Sequence, residues 1–320
     1  MTHGQESSPV KAKGLPVVNA DAYGELPHRL PRRFDRLARL YGEAAVAHLH
    51  QARVVVIGLG GVGGFAAEAL ARSAVGHLTL VDFDEVCATN SNRQLQALAS
   101  TVGLAKVELL AARLRDINPD AQVVARREFY EAANSEALLL SPWPGQTHYY
   151  DFVVDCIDSL KSKAHLLVTC HRLGLQVVSA MGAAGKTDPT RVRIADLGDT
   201  DVCPMAQQLR KSLRQKHGLP KGRSKLGITA VYSDEERHWP RQLTTLSNDC
   251  DCASHHPRHS KEGRAMIEGS AMFVTGAFGL ACASHIVNTW VGDLPTQAAP
   301  APVPAKRVKA TALAEHEPTR

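Results

Sequence analysis

The residues best suited to chemistry gather around a glycine turn. Val54-Val55-Val56-Ile57 runs into Gly58-Leu59-Gly60-Gly61-Val62-Gly63, in which Gly58, Gly60 and Gly63 keep the spacing of a strand delivering the chain to a helix N-terminus. Free backbone N–H groups and the helix dipole at such a turn attract phosphate. Asp82, with Asp84 two residues on, follows a second apolar segment, where a carboxylate at a strand end can bind ribose hydroxyls. These features alone leave NAD open. Downstream stand Thr89, Asn90, Asn92, Arg93 and Gln94, then Lys106 at the head of the periodic set Val107, Leu110, Ala111 and Leu114. Two cations and several amides beside a nucleotide suit a triphosphate whose departing pyrophosphate needs charge neutralisation, and a hydride-transfer site needs no such cluster. Taken singly, Arg93 or Lys106 would read as a solvated charge; beside a glycine loop the pair reads as a phosphate clamp. A third apolar segment leads through Asp155-Cys156-Ile157 to Asp158-Ser159. At a strand's carboxyl end, Asp158 is placed to hold Mg2+ on the phosphates, and it can also cap the following helix.

Positioning these residues requires strands at about 54–57, 77–81 and 152–157 with helices between them, the latter two expected near 106–114 and 161–173. That alternation predicts an α/β protein with a Rossmann-like, doubly wound, mostly parallel sheet and an added C-terminal antiparallel portion. The organisation read from composition is a mobile arm at 1–30, a nucleotide-binding adenylation domain at 31–185, and a substrate-binding and dimer portion of the same fold at 186–292. The last carries a flexible insertion near 234–262 and is followed by a disordered Ala/Pro-rich tail at 293–320.

Arg33-Phe34, Ala38-Arg39-Leu40-Tyr41-Gly42, the glycine loop, Thr89-Asn90-Ser91-Asn92-Arg93-Gln94, Gly103-Leu104-Ala105-Lys106 and Asp155-Cys156-Ile157-Asp158-Ser159 together resemble the ubiquitin-activating-enzyme-like (ThiF–MoeB) superfamily of adenylating enzymes. Lys225-Leu226-Gly227, Val231-Tyr232-Ser233 and residues 269–278 extend the likeness, which is closest to the tRNA threonylcarbamoyladenosine dehydratase family. The resemblance implies ATP-dependent cyclisation of N6-threonylcarbamoyladenosine in tRNA through an acyl-adenylate. It casts Arg93, Lys106, Asp158 and Arg39 as catalytic. Gly58, Gly60, Gly61, Gly63, Asp82, Asp84, Thr89, Asn90, Asn92, Gln94 and Ser159 would line the nucleotide. It also implies a homodimer in which Arg39, or failing that Arg36, reaches the partner's ATP site. Mg2+ accompanies ATP; a monovalent cation, a cysteine desulfurase and a sulfur-acceptor pair are further associations found among relatives. Gly64 departs from the Ser often present there. The rival readings are an adenylyltransferase for the C-terminus of a ubiquitin-like sulfur carrier, whose structural Cys-x-x-Cys pairs are missing here, and an NAD-dependent oxidoreductase.

Seven cysteines, an odd number in a chain that opens without an apolar leader, argue against a disulfide framework and for a cytoplasmic setting. Cys156 and Cys170 read as core thiols, while Cys203, Cys250 or Cys252 would be the candidates for a thioester step. Cys250 and Cys252 with His255, His256 and His259 match no zinc-ribbon spacing. Residues 269–287 are nineteen residues without formal charge, whose Gly, Ser, Thr and His content suits a buried core helix better than a membrane span, so no stable membrane partner is expected. The net charge of +5 is unevenly placed: residues 210–225 hold seven Lys/Arg and no acid. Such a run is a solvated face or, in an enzyme acting on tRNA, a flexible contact to the phosphate backbone.

Overall fold

The β-branched run of the glycine-turn strand forms β1 (Arg53–Ile57), every residue of which is buried. Burial on both faces explains why it reads as a continuous apolar run rather than an alternating one. It is flanked in parallel by β2 (His77–Val81) and β4 (Phe152–Asp155), with Ile57 level with Val81 on one side and Asp155 on the other. β3 (Gln122–Arg126) extends the sheet beyond β2, and β5 (Gln176–Ala180) beyond β4. β7 (Thr229–Ser233) pairs parallel to β5, and β6 (Val192–Asp196) closes the edge antiparallel to β7. The strand order β3-β2-β1-β4-β5-β7-β6 is the expected doubly wound sheet with its antiparallel C-terminal addition. The order reverses between β1 and β4, and ligands of such sheets bind at that point, outside the strands' carboxyl ends.

The computed structural model describes residues 30–140, 142–143, 149–220, 224–242 and 268–292. The proposed arm, most of the insertion near 234–262 with its Cys250, Cys252 and histidines, and the tail lie outside the described residues.

Helices α1 (Asp35–Tyr41) and α2 (Glu43–Leu49) precede the sheet. One face of the sheet is covered by α2, α3 (Gly63–Arg72), α4 (Lys106–Ile117) and α8 (Met272–Val291); the other by α5 (Ser135–Leu139), α6 (Leu160–Leu173) and α7 (Pro204–Lys216). Although α8 is long and apolar enough to cross a bilayer by length and composition, it lies in the core with Val274, Phe278, Cys282 and Ile286 buried. Gly279 is what lets it lie so close: a Cβ there would stand 2.4 Å from the Val62 carbonyl oxygen and 2.8 Å from the Phe65 Cβ. Thus α8 is clamped against the start of α3, where the glycine turn ends. The five described cysteines, Cys87, Cys156, Cys170, Cys203 and Cys282, are free thiols. Burial raises the Cys170 thiol, and contact with the Cys282 thiol together with burial raises Cys156, consistent with inert core sulfurs.

Candidate nucleotide site

Three strands ending in register bring the glycine turn, Asp82 and the turn carrying Asp158 to one edge of the sheet. Gly58 leaves β1 at φ +90° with its N–H on the Val81 carbonyl oxygen, 2.9 Å away. A Cβ on Gly58 would meet the Cys156 carbonyl oxygen at 2.8 Å, and one on Gly63 would overlap the Gly58 oxygen at 1.8 Å. The turn therefore tolerates only glycine at both points, because backbone passes directly beside backbone. Helix α3 opens at Gly63 without a side-chain cap, at the edge where a phosphate would sit. Gly61 is held as tightly: its Cβ would lie 2.9 Å from the Arg93 carbonyl oxygen and 3.1 Å from Thr275 Oγ1 on α8.

The acids and cations form an interlocked rim. Asp82 Oδ2 accepts from the Leu59 N–H (2.6 Å) and Oδ1 from the Asp84 N–H (2.7 Å), joining the end of β2 to the glycine turn. Burial raises the Asp82 carboxyl above the usual range, against the pull of Lys106 and these two amides. Lys106 is itself buried and places its Nζ 2.8 Å from Asp84 Oδ2. Arg93 donates to the Thr89 carbonyl oxygen and to Asn92 Oδ1, both at 2.9 Å, and desolvation lowers its pKa. Asn92 Nδ2 in turn donates to the Ser270 carbonyl oxygen at 2.8 Å.

Several residues expected at the nucleotide have structural work in the fold. Asn90 is buried and its Oδ1 accepts from the Cys87 N–H (3.1 Å), closing the turn before Arg93. Gln94 is buried against Gly60. Asp158 is exposed at the carboxyl end of β4, while the N-cap of α6 is Ser159, with no side-chain cap bond. Arg39 lies on α1, 72% exposed and paired with Asp35 one turn earlier at 3.0 Å. The basic run at 210–225 is not uniformly flexible: its first half is helix α7, where Arg210 donates to Thr200 and Arg214 to the Pro220 carbonyl oxygen at 3.1 Å. Two of its seven cations therefore turn back onto the chain; Lys221 and Arg223 lie outside the described residues.

Other functional neighbours have no local signal in the sequence. Gln96 Nε2 donates to the Leu59 carbonyl oxygen at 2.7 Å, bracing the glycine turn from behind. Beneath the Asp158 turn, Asp155 and Lys163 form an ion pair at 2.7 Å with both side chains fully buried. Ser179 Oγ donates to the same carboxylate (2.6 Å), and the Ile157 N–H to its other oxygen (3.1 Å). The acid at the end of an apolar strand was a visible cue; a buried lysine eight residues later was not, since lysine is rarely buried unless paired. Among the described residues no group of three or more His, Cys, Asp or Glu is placed to hold a metal.

Comparison with known proteins agrees with this geometry. The profile of the ThiF family matches residues 34–317. The tRNA threonylcarbamoyladenosine dehydratase of Escherichia coli K12 is 38% identical over 86% of this chain and 96% of its own length. Its Bacillus subtilis counterpart is 39% identical over 82% of this chain and 96% of its own. Among solved structures, the Escherichia coli tRNA N6-threonylcarbamoyladenosine dehydratase in complex with ATP superposes with a TM-score of 0.68 at 36% identity, covering 82% of this chain and 94% of that one.

Proposed function

Because the chain belongs to the ThiF family, we propose that it activates a carboxylate with ATP and is a tRNA threonylcarbamoyladenosine dehydratase, forming the cyclic nucleoside through an acyl-adenylate. One observation supports the reading: a glycine turn with no room for a side chain at Gly58, Gly61 or Gly63 stands at the switch point of the sheet, with Arg93 and Lys106 following β2 and Asp158 following β4. The substrate's threonyl carboxylate attacks the α-phosphorus of ATP and pyrophosphate leaves. A carbamoyl nitrogen or oxygen of the same nucleoside then attacks the acyl carbon, loses its proton, and expels AMP. The nucleophile is already tethered, so ring closure gains the entropic advantage of an intramolecular step. Water is lost overall.

The chain's own residues bind and orient. The glycine turn and the first amides of α3 admit the phosphates, and Asp82 fixes the turn's edge while offering its remaining lone pairs to the ribose. Asp84 holds the Lys106 ammonium in place, and Thr89 and Asn92 aim the Arg93 guanidinium; both cations offset charge as pyrophosphate departs. A hard, oxygen-only donor set of one exposed carboxylate completed by phosphates and water suits Mg2+, which Asp158 would hold and which would neutralise phosphate charge.

The molecule acts as a homodimer in this reading. Phe273 and Leu280, seven residues apart on α8, are exposed, as are Leu98, Val102 and Leu104 on the loop before α4. A two-fold axis that brings such apolar residues together would let Arg39 reach the partner's phosphates. The setting is the cytoplasm, with modified tRNA as substrate and a desulfurase with its acceptor as further partners.

The test measures AMP and pyrophosphate release with modified tRNA, unmodified tRNA and a sulfur-carrier protein in turn, with and without magnesium and potassium. Release with modified tRNA alone is expected, and release with the carrier protein alone would overturn the assignment. Mixing Arg39→Ala with Asp158→Asn protein should restore activity, since a mixed dimer holds one intact site. No recovery despite subunit exchange would return Arg39 to a structural role.

A further inference from the structure

Trp239 is 71% exposed, the most exposed aromatic side chain among the described residues, and it is not an isolated apolar spot. The Arg237 guanidinium carbon lies 4.1 Å from the centre of the indole, and its NH1 is anchored on Glu268 Oε1 at 2.7 Å. One face of the ring is thus covered by a fixed cation while the rest is open. The surroundings in sequence are Glu236, His238, Pro240 and Arg241; Arg193 stands on edge strand β6 and Arg191 just before it, each paired with Asp234. A single exposed indole with a guanidinium over one face and polar neighbours along the chain suits the π-face of a nucleobase.

The platform is tied to the nucleotide site by backbone. The His238 N–H donates to the Gly185 carbonyl oxygen and the Gly185 N–H to the Gly269 oxygen, both at 2.8 Å. The next residue, Ser270, is the acceptor for Asn92, which aims Arg93. Gly185, at φ +67°, has no room for a side chain: a Cβ would meet Arg237 Cγ at 2.6 Å. Beneath the segment, the buried Glu235 carboxylate accepts from the Thr187 and Asp188 N–H groups, each at 3.0 Å. The ring is therefore held at a fixed place relative to the activation site.

We infer that Trp239, backed by Arg237, is a stacking platform for an unpaired nucleobase of the RNA substrate, flanking the nucleotide that is activated. The inference rests on the dehydratase reading for the identity of the RNA, and on geometry alone for the platform. Stacking on the indole orders a loop base without reading its identity, so the site selects single-stranded RNA next to the modified residue rather than a sequence.

The experiment uses the full-length protein, a labelled stem-loop RNA with an unpaired loop, and a fully paired duplex of equal length. Of the chain's three tryptophans, Trp143 packs on Tyr150 and Trp290 on His48 and Phe152, so quenching by the loop RNA should come from Trp239. Trp239→Ala should weaken loop binding about five- to a hundredfold, the range for one lost base–aromatic stack, and leave duplex binding unchanged. Trp239→Phe should recover most of the affinity. Loop binding by Trp239→Ala within twofold of wild type, or an equal loss for duplex, would overturn the platform. So would a variant that binds RNA normally but fails to dimerise by sedimentation, which would make the ring a protein contact. Wild-type protein that binds loop RNA through Trp239 yet releases no AMP with modified tRNA would sink the dehydratase reading and leave the platform standing.

Discussion

Replacing Lys163 with Met should be among the most damaging single changes in the chain, although Lys163 would not touch substrate. Its Nζ lies 2.7 Å from Asp155 Oδ2, and neither side chain is exposed at all. Methionine keeps the length of the side chain but strands a carboxylate in the interior, supported only by Ser179 Oγ and the Ile157 N–H. Breaking one side of a buried ion pair costs about 3–5 kcal/mol, far more than the pair's net worth, because the remaining charge loses both water and partner. At about 2–4 °C per kcal/mol for a chain of this size, the midpoint should fall by about 6–20 °C. Adding Asp155→Asn removes the stranded charge while leaving an oxygen for Ile157, and should recover about 2 kcal/mol or more. Thermal and urea melts followed by circular dichroism give the cycle. The turn from Asp155 also carries Asp158, so the single variant should need more ATP for half-maximal thermal stabilisation. A single variant within about 1 kcal/mol of wild type, or a double variant no better than the single, would refute this account of the buried pair.

Gly64→Ser should stabilise the fold. Gln96 Oε1 is buried without a hydrogen-bond partner among the described residues, and a Cβ on Gly64 would lie 3.3 Å from it, so a serine hydroxyl can donate there and add about 1 kcal/mol beyond the helix-propensity gain of Gly64→Ala; equal melting points for the Ser and Ala variants would dispose of the idea. Glu235 predicts a pH effect: burial pushes its carboxyl up, but the Asp188 and Thr187 amides, the Thr187 hydroxyl and His238 outweigh this and hold it at about 2, against the usual 4.5. A lowered carboxyl stabilises the native state above the unfolded value, so this contribution should be present above pH 4.5 and disappear as pH falls toward 2. Urea titrations of wild type and Glu235→Gln across that window should converge at low pH, and parallel curves would exclude the effect.

The order of strands and helices was legible because burial imposes periodicity on the chain itself. Runs such as Val54–Ile57 and His77–Val81, short, rich in β-branched residues and bounded by glycine, read as strands of a covered sheet, and the glycines after the first mark where backbone passes backbone. The spacing of Gly58, Gly60 and Gly63 thus marks a tight strand-to-helix turn in the sequence itself. Composition also placed residues 269–287 in the core rather than a membrane, although only the fit of Gly279 against Val62 shows how closely. What the sequence did not contain was the choice of partners. The Asn90 Oδ1 accepts from the Cys87 N–H and closes a turn, and Arg39, exposed on α1, pairs with Asp35. Gln96 behind Leu59, Thr275 beside Gly61 and Lys163 under Asp155 are joined by contacts between side chains and turns that no local pattern encodes. Periodicity tells which face of an element is buried; which polar group it meets there depends on how distant segments pack, and that is set by the tertiary fold.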